Sequence, residues 1–327
     1  MNLLNRTGIF LTVFAGLAAG QQSRFVVVQK LSGTVGFYDS DGKHIGDAKV
    51  GQHPHEMALS PDGKTLYVSD NGVVWMTENA DGENTISVVD VASRKRTAVI
   101  DLGTYRRPHG ITVDPKTGHV LVTTEKPNAL LIVDPGTRKT LKAIDVKGTA
   151  PHMVMLSADS QWAFTSDSNS GDLSAIRLAT GEVSLIRAGK RPQGQAFSPD
   201  HKTLYVTVAD EMSIGIFDLT KMAFVGRVST GKTPVRVAVT PDGKTLIYAL
   251  QEANSVGFAD IATRKETGQV NAGGPTMSIS LSRDGKTAYT GIQEQDKVVA
   301  ISVAERRIVN TFSTPKGAGP DPVITLF

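Results

Sequence analysis

Three Pro-His pairs, Pro54-His55, Pro108-His109 and Pro151-His152, hold the residues of this chain best suited to chemistry. Three neutral imidazoles meeting at one point could bind a divalent metal ion and leave a position open for water or substrate. Glu125 and Asp167 follow the same pattern a little further on, and either could orient a histidine or act as a base. Gln193 continues the column after Pro192 and could coordinate or bind substrate. Packing offers a competing explanation. His55 shares the alternation of Met57 and Leu59, so it could simply cap a buried stack. The helical His-Glu-X-X-His spacing is absent, so a metal site here would need three separate segments to converge.

Those segments belong to a repeat. "HEMALSPDGKTLYVSD", "HGITVDPKTGHVLVTTE", "HMVMLSADSQWAFTSD", "QGQAFSPDHKTLYVTVA", "VRVAVTPDGKTLIYALQ" and "SISLSRDGKTAYTGIQ" each read as a hairpin of alternating apolar residues about an Asp-Gly turn or a variant of it. A second hairpin follows each, as in "SIGIFDLTKMAFVGRV". After a longer first interval the units recur every 41–43 residues. Four strands at that period are the mark of a β-propeller blade. Six units run from Gly51 to about Gly317. Residues 25–50 offer three more strands and 317–327 a lone fourth. Together they predict a seventh blade built from both ends of the chain, which closes the ring and removes its edges. The expected fold is all-β: a single seven-bladed β-propeller domain over 21–327.

In such a blade the innermost strand lines the channel. His55, His109, His152 and Gln193 then sit at one mouth, with the loops after the second strands beside them. Two irregularities fall on that face. Ten extra residues at 72–81 bring Trp75 and Glu78, and two more before Pro108 bring Tyr105, Arg106 and Arg107. Insertions in repeat proteins map to one face, often the binding face. An aromatic and an arginine pair over a polar mouth suit an anionic or sugar-like ligand. Lys190, Arg191, Lys232 and Arg236 add positive charge to this rim, and Asp70, Glu78, Glu125 and Asp167 offset it. The repeated Asp and the "SRKR", "TRK" and "ERR" clusters of the opposite face read as turn organisers and solvated cations.

Composition narrows the classes. The chain has 35 basic and 32 acidic residues, a net charge of +3, which argues against nucleic acid. It has no cysteine, which excludes disulfides, thiolate metal sites and Cys-X-X-Cys-His haem attachment. No nucleotide-binding glycine loop is present, so neither haem nor nucleotide is expected. Residues 1–20 carry Arg6, the apolar "IFLTVFAG" and a small-residue site before Gln21, the pattern of a cleaved signal peptide. A periplasmic or secreted protein without a membrane span is expected, and a monomer.

The motifs "SPDGKTLYVSD", "SPDHKTLYVT" and "TPDGKTLIYA" resemble the YVTN-type (YncE-like) β-propeller repeat family over nearly the whole mature chain. The resemblance implies the propeller fold and mostly exported bacterial proteins. It leaves function open, since relatives on this architecture include lactonases, metal-dependent lyases and haem or copper oxidoreductases. The first expectation is a propeller that recognises a small-molecule or carbohydrate-like ligand, or a protein partner, at the histidine mouth. Gln193, Arg236, Trp75, Glu78, Tyr105, Arg106 and Arg107 would do the binding. The second is a metal-dependent lyase or lactonase with His55, His109 and His152 as ligands, Glu125 and Asp167 as catalytic groups, and an anionic or carbohydrate-like substrate. The third, binding of single-stranded DNA or another polyanion, is weakened by the balanced charge and the 6% aromatic content.

Overall fold

Alternation of apolar side chains makes each strand two-faced, and the seven sheets bury both faces against their neighbours. The computed structural model describes residues 22–326; the signal peptide expected over 1–20 lies outside the described residues. Seven four-stranded antiparallel sheets stand in a ring. Blade one joins Pro320–Thr325 from the C-terminal end to Phe25–Gln29, Thr34–Tyr38 and His44–Lys49, the closure expected from the leftover segments. Blades two to seven follow in chain order, each running from its innermost strand outward.

The core consists of seven apolar clusters, one between each pair of adjacent blades. In Thr65–Asp70, Leu66 and Val68 face blade one and join Val26, Val28 and Phe37, while Tyr67 faces blade three and joins Ile111 and Val122. Phe25, Tyr38, Phe312 and Val323 seal the joint between blades seven and one.

The Asp-Gly turns behave as the sequence predicts. Asp62 accepts from the Ser60 hydroxyl at 2.6 Å and from the Lys64 amide at 3.1 Å, and Asp159, Asp200, Asp242 and Asp284 repeat the arrangement. The cations of the outer turns differ from expectation. They are not simply solvated: Arg94 donates to the Ile45 carbonyl and Arg306 to that of Thr267, so these arginines tie one blade to the one before it.

The start of each innermost strand positions the site. The residue before the proline takes a left-handed conformation at His53, Arg107, Ala150, Arg191 and Thr233. Pairing with the second strand then shifts register just after Pro54, Pro108, Pro151, Pro192 and Pro234. Such a bulge re-aims side chains. It takes His55 out of the alternation that Met57 follows. His55 turns to the channel mouth, while Met57 packs between blades one and two.

Candidate functional site

His109 and His152 are each held by the blade that precedes them. The Ser69 hydroxyl donates to the His109 carbonyl at 2.7 Å, and that of Thr123 to the His152 carbonyl at 3.2 Å. Ser166 does the same for Gln193. Neighbouring innermost strands approach so closely that a Cβ on Gly110 would lie 2.6 Å from the His152 carbonyl oxygen, which is why a glycine follows His109.

The three imidazoles do converge, and all are buried. The His55 and His109 rings meet at 4.5 Å between centroids, and those of His109 and His152 at 3.8 Å. His55 Nε2 lies 2.7 Å from the Val73 carbonyl, and its Nδ1 2.7 Å from His109 Nε2. His152 Nε2 lies 3.3 Å from Arg236 Nη1. Burial, reinforced by the positive charges of Lys30 and Arg236, pushes all three imidazoles well below their ordinary range, so they are neutral. The tautomers follow from the partners. A carbonyl only accepts, so His55 carries its proton on Nε2 and accepts on Nδ1. His109 must then donate from Nε2, and its Nδ1 is a buried acceptor without a partner. Arg236 only donates, so His152 accepts on Nε2, and its Nδ1–H is a buried donor without a partner.

Charged groups surround this cluster. Arg236 on blade six reaches across the channel to Glu56 on blade two, with Nη2 2.5 Å from Oε1. Burial raises the Glu56 carboxyl, and Arg236 opposes the rise. Lys30 on blade one is buried 3.5 Å from Asp321. Burial lowers its ammonium below the usual range, and Asp321 opposes that fall. Asp321 stands in the histidine column, following Pro320 as His55 follows Pro54.

A cavity of about 230 Å³ opens here. Its polar wall is formed by the three histidines, Lys30, Arg236 and Gln193, with Asp321 beside Lys30. Val74, Trp75 and Met76 of the insertion and Met277 of blade seven supply its apolar wall. Gln193, Arg236 and Trp75 are therefore brought to the site as the sequence suggests. Lys30, Asp321, Glu56 and Met277 join them and were not singled out by sequence reasoning. The Pro320-Asp321 pair was the available signal.

The other candidates stand elsewhere. Arg107 is buried and forms an ion pair with Glu125 at 2.9 Å. It also donates to the carbonyls of Met76 at 3.0 Å and Glu78 at 3.3 Å. Arg106 holds the Gly82 carbonyl, and the Glu78 carboxylate accepts the amides of Val74 and Trp75. These four residues brace the insertion and do not line the cavity. Tyr105 packs against the cluster between blades two and three. Asp167 is buried inside blade four, accepting from Thr165 at 2.8 Å and bonded to Ser174 at 2.5 Å. Burial pushes both Asp167 and Glu125 up to about 7. Neither carboxylate orients a histidine.

The histidine set as arranged does not fit a divalent cation. Both nitrogens of His55 and the Nε2 of each of the others are already engaged, and Lys30 and Arg236 bring positive charge against the cluster. Among the described residues, no group of three or more His, Asp or Glu side chains is placed to hold a metal ion. The chemistry this pocket offers is recognition by donors: an ammonium, a guanidinium and amide side chains in a half-enclosed space where electrostatic attraction is strong.

Comparisons with known proteins agree with the architecture. The model of the YNCE-like beta-propeller family matches residues 68–270, more than half of the chain. No curated protein matches in sequence. Among solved structures, hydrazine synthase of Kuenenia stuttgartiensis is similar with a TM-score of 0.72 and 19% identity, over 91% of this chain and 99% of that one. A functionally unknown protein from Desulfotomaculum acetoxidans DSM 771 gives 0.78 and 13%, over 93% and 99%. Dihydro-heme d1 dehydrogenase NirN in complex with DHE gives 0.67 and 17%, over 94% and 67%. At these identities the likeness concerns the fold alone.

Proposed function

The chain belongs to the YNCE-like β-propeller family, and from that premise we propose that it is a binding propeller whose histidine-bearing mouth takes a small organic anion. The observation that carries this reading is the pair Lys30 and Arg236, one buried and one partly buried cation lining the same cavity, beside three imidazoles held neutral. Buried cations are costly unless an anion compensates them. Each has a single acidic partner, Asp321 or Glu56, and the carboxyl of Glu56 is itself driven toward its neutral form by burial. A bound carboxylate would add a second acceptor for each cation. A half-enclosed space of about 230 Å³ supports a metabolite-sized ligand rather than a polymer or a protein surface. The N-terminal pattern supports an exported protein, and among the described residues no helix is long and apolar enough to cross a membrane.

Thermal unfolding of the mature chain with sodium lactate and sodium glucuronate tests the proposal. At a hundredfold excess over Kd a bound anion should raise Tm by roughly 4 °C. Lys30→Gln and Arg236→Gln should abolish the rise. No shift with any carboxylate, or equal shifts in both variants, would overturn it.

A further inference from the structure

The insertion divides two cavities. Val74, Trp75, Gln251 and Met277 line both the histidine pocket and a second, open space of about 500 Å³ on its outer side. Leu31 and Pro275 complete the apolar wall of the second space, and Glu252 and Glu294 stand at its rim. Consecutive residues of blade one serve the two spaces: Lys30 is buried in the inner one, and Leu31 is exposed in the outer. The Lys30 ammonium lies 5.4 Å from the centroid of the Trp75 ring, so the aromatic marks where the cationic chamber gives way to the apolar one.

We propose that the two cavities are subsites for one ligand, a monocarboxylate bearing an apolar arm. This rests on the reading of the inner pocket as an anion site. The carboxylate lies between Lys30 and Arg236, and the arm passes Trp75 to lie on Leu31, Pro275 and Met277. Three observations carry the assignment. The spaces share walls, so a ligand can run from one to the other. Leu31 and Trp75 are large apolar side chains left 46% and 47% exposed, and both line the outer space. Isolated exposed hydrophobics mean little, but two that line one space beside a charged pocket have a use. Finally, Glu252 and Glu294 are exposed at the outer rim and repel a second carboxylate there, which selects monoanions over long dianions.

The experiment is calorimetric titration of the mature chain with 4-phenylbutyrate, with lactate as a probe of the inner pocket alone, and with suberate as a long dianion. Phenylbutyrate should bind about tenfold or more tightly than lactate, as burial of some 60 Å² of apolar surface implies. Suberate should bind more weakly than phenylbutyrate. Leu31→Ser should remove that advantage while leaving the affinity for lactate within about twofold, with Tm confirming that the variant is folded. If lactate binds through Lys30 and Arg236 but phenylbutyrate gains nothing, or if Leu31→Ser leaves its affinity unchanged, the two-subsite ligand is wrong and the anion pocket stands. If no carboxylate binds, both fall.

Discussion

Arg236 and Glu56 reach each other across the central channel from blades six and two, 180 residues apart in the chain and 2.5 Å apart in space. The same guanidinium lies 3.3 Å from His152, whose ring meets that of His109 at a tilt, and His109 in turn donates to His55. One path of hydrogen bonds and ring contacts thus joins blades six, four, three and two at the mouth.

The cost of that bridge is measurable. Removing one member of a buried ion pair leaves the other uncompensated and costs about 3–5 kcal/mol, whereas replacing both with apolar groups is often neutral. Glu56→Leu alone should lower the urea midpoint strongly. Glu56→Leu with Arg236→Met should recover most of the loss in stability, while carboxylate binding stays lost. A double variant as unstable as Glu56→Leu would show that the pair contributes more than mutual neutralisation.

A second ion pair acts on the insertion. Arg107 grips Glu125 and two carbonyls of the 72–81 segment from a buried position. Arg107→Ala should destabilise the fold by about 3 kcal/mol and expose the segment to limited proteolysis. Glu125→Gln should do less, because burial already carries the Glu125 carboxyl up to about 7. Equal susceptibility of wild type and Arg107→Ala to protease would contradict the bracing role.

Buried groups of opposite kind set the pH profile. The histidines have folded-state values depressed below 6.5, so their contribution is present above about 6.5 and is lost as pH falls, by about 1.4 kcal/mol per pH unit for each proton taken up on unfolding. Asp167 is raised from 3.8 to about 7, so its contribution is full below 3.8 and lost as pH rises to about 7. Asp167→Asn should therefore gain on the wild type between pH 4 and 7, by up to about 1.4 kcal/mol per unit. Urea melts at pH 5 and 7.5 measure this, and a variant whose deficit grows with pH would refute the assignment.

Ring closure depends on the last strand. Pro320–Thr325 pairs with Phe25–Gln29, covers Val27 with Val323, and carries Asp321 to Lys30. Truncation before Pro320 exposes an unpaired edge and leaves Lys30 uncompensated. Aggregation, or a Tm lowered by more than 10 °C, is the expected outcome; a truncated chain as stable as the full one would contradict it.

Much of this architecture is legible from spacing. Asp-Gly turns at a fixed period, alternating apolar residues and the terminal "VITLF" define seven blades and their closure, because turn chemistry and alternation are local. The convergence of His55, His109 and His152 is legible for the same reason, since a repeat places equivalent residues on one rim. The bulge after each Pro-His pair is a departure from ideal pairing, and no residue type announces it. The bridge from Glu56 to Arg236 joins non-adjacent blades, so no period predicts it. Arg106, Arg107 and Glu125 have the composition of a binding site yet brace a loop. Sequence places them on the right face but cannot say whether a side chain meets ligand or backbone.

Calorimetric titration of one preparation of the mature chain with sodium glucuronate and, separately, with zinc chloride tests the central claim most directly. One carboxylate should bind per chain, with the heat abolished in Arg236→Gln, and no stoichiometric zinc. One zinc per chain, lost in the His55→Ala/His109→Ala/His152→Ala variant while that variant stays folded, together with no heat from the carboxylate, would contradict it and return the three histidines to the role of metal ligands.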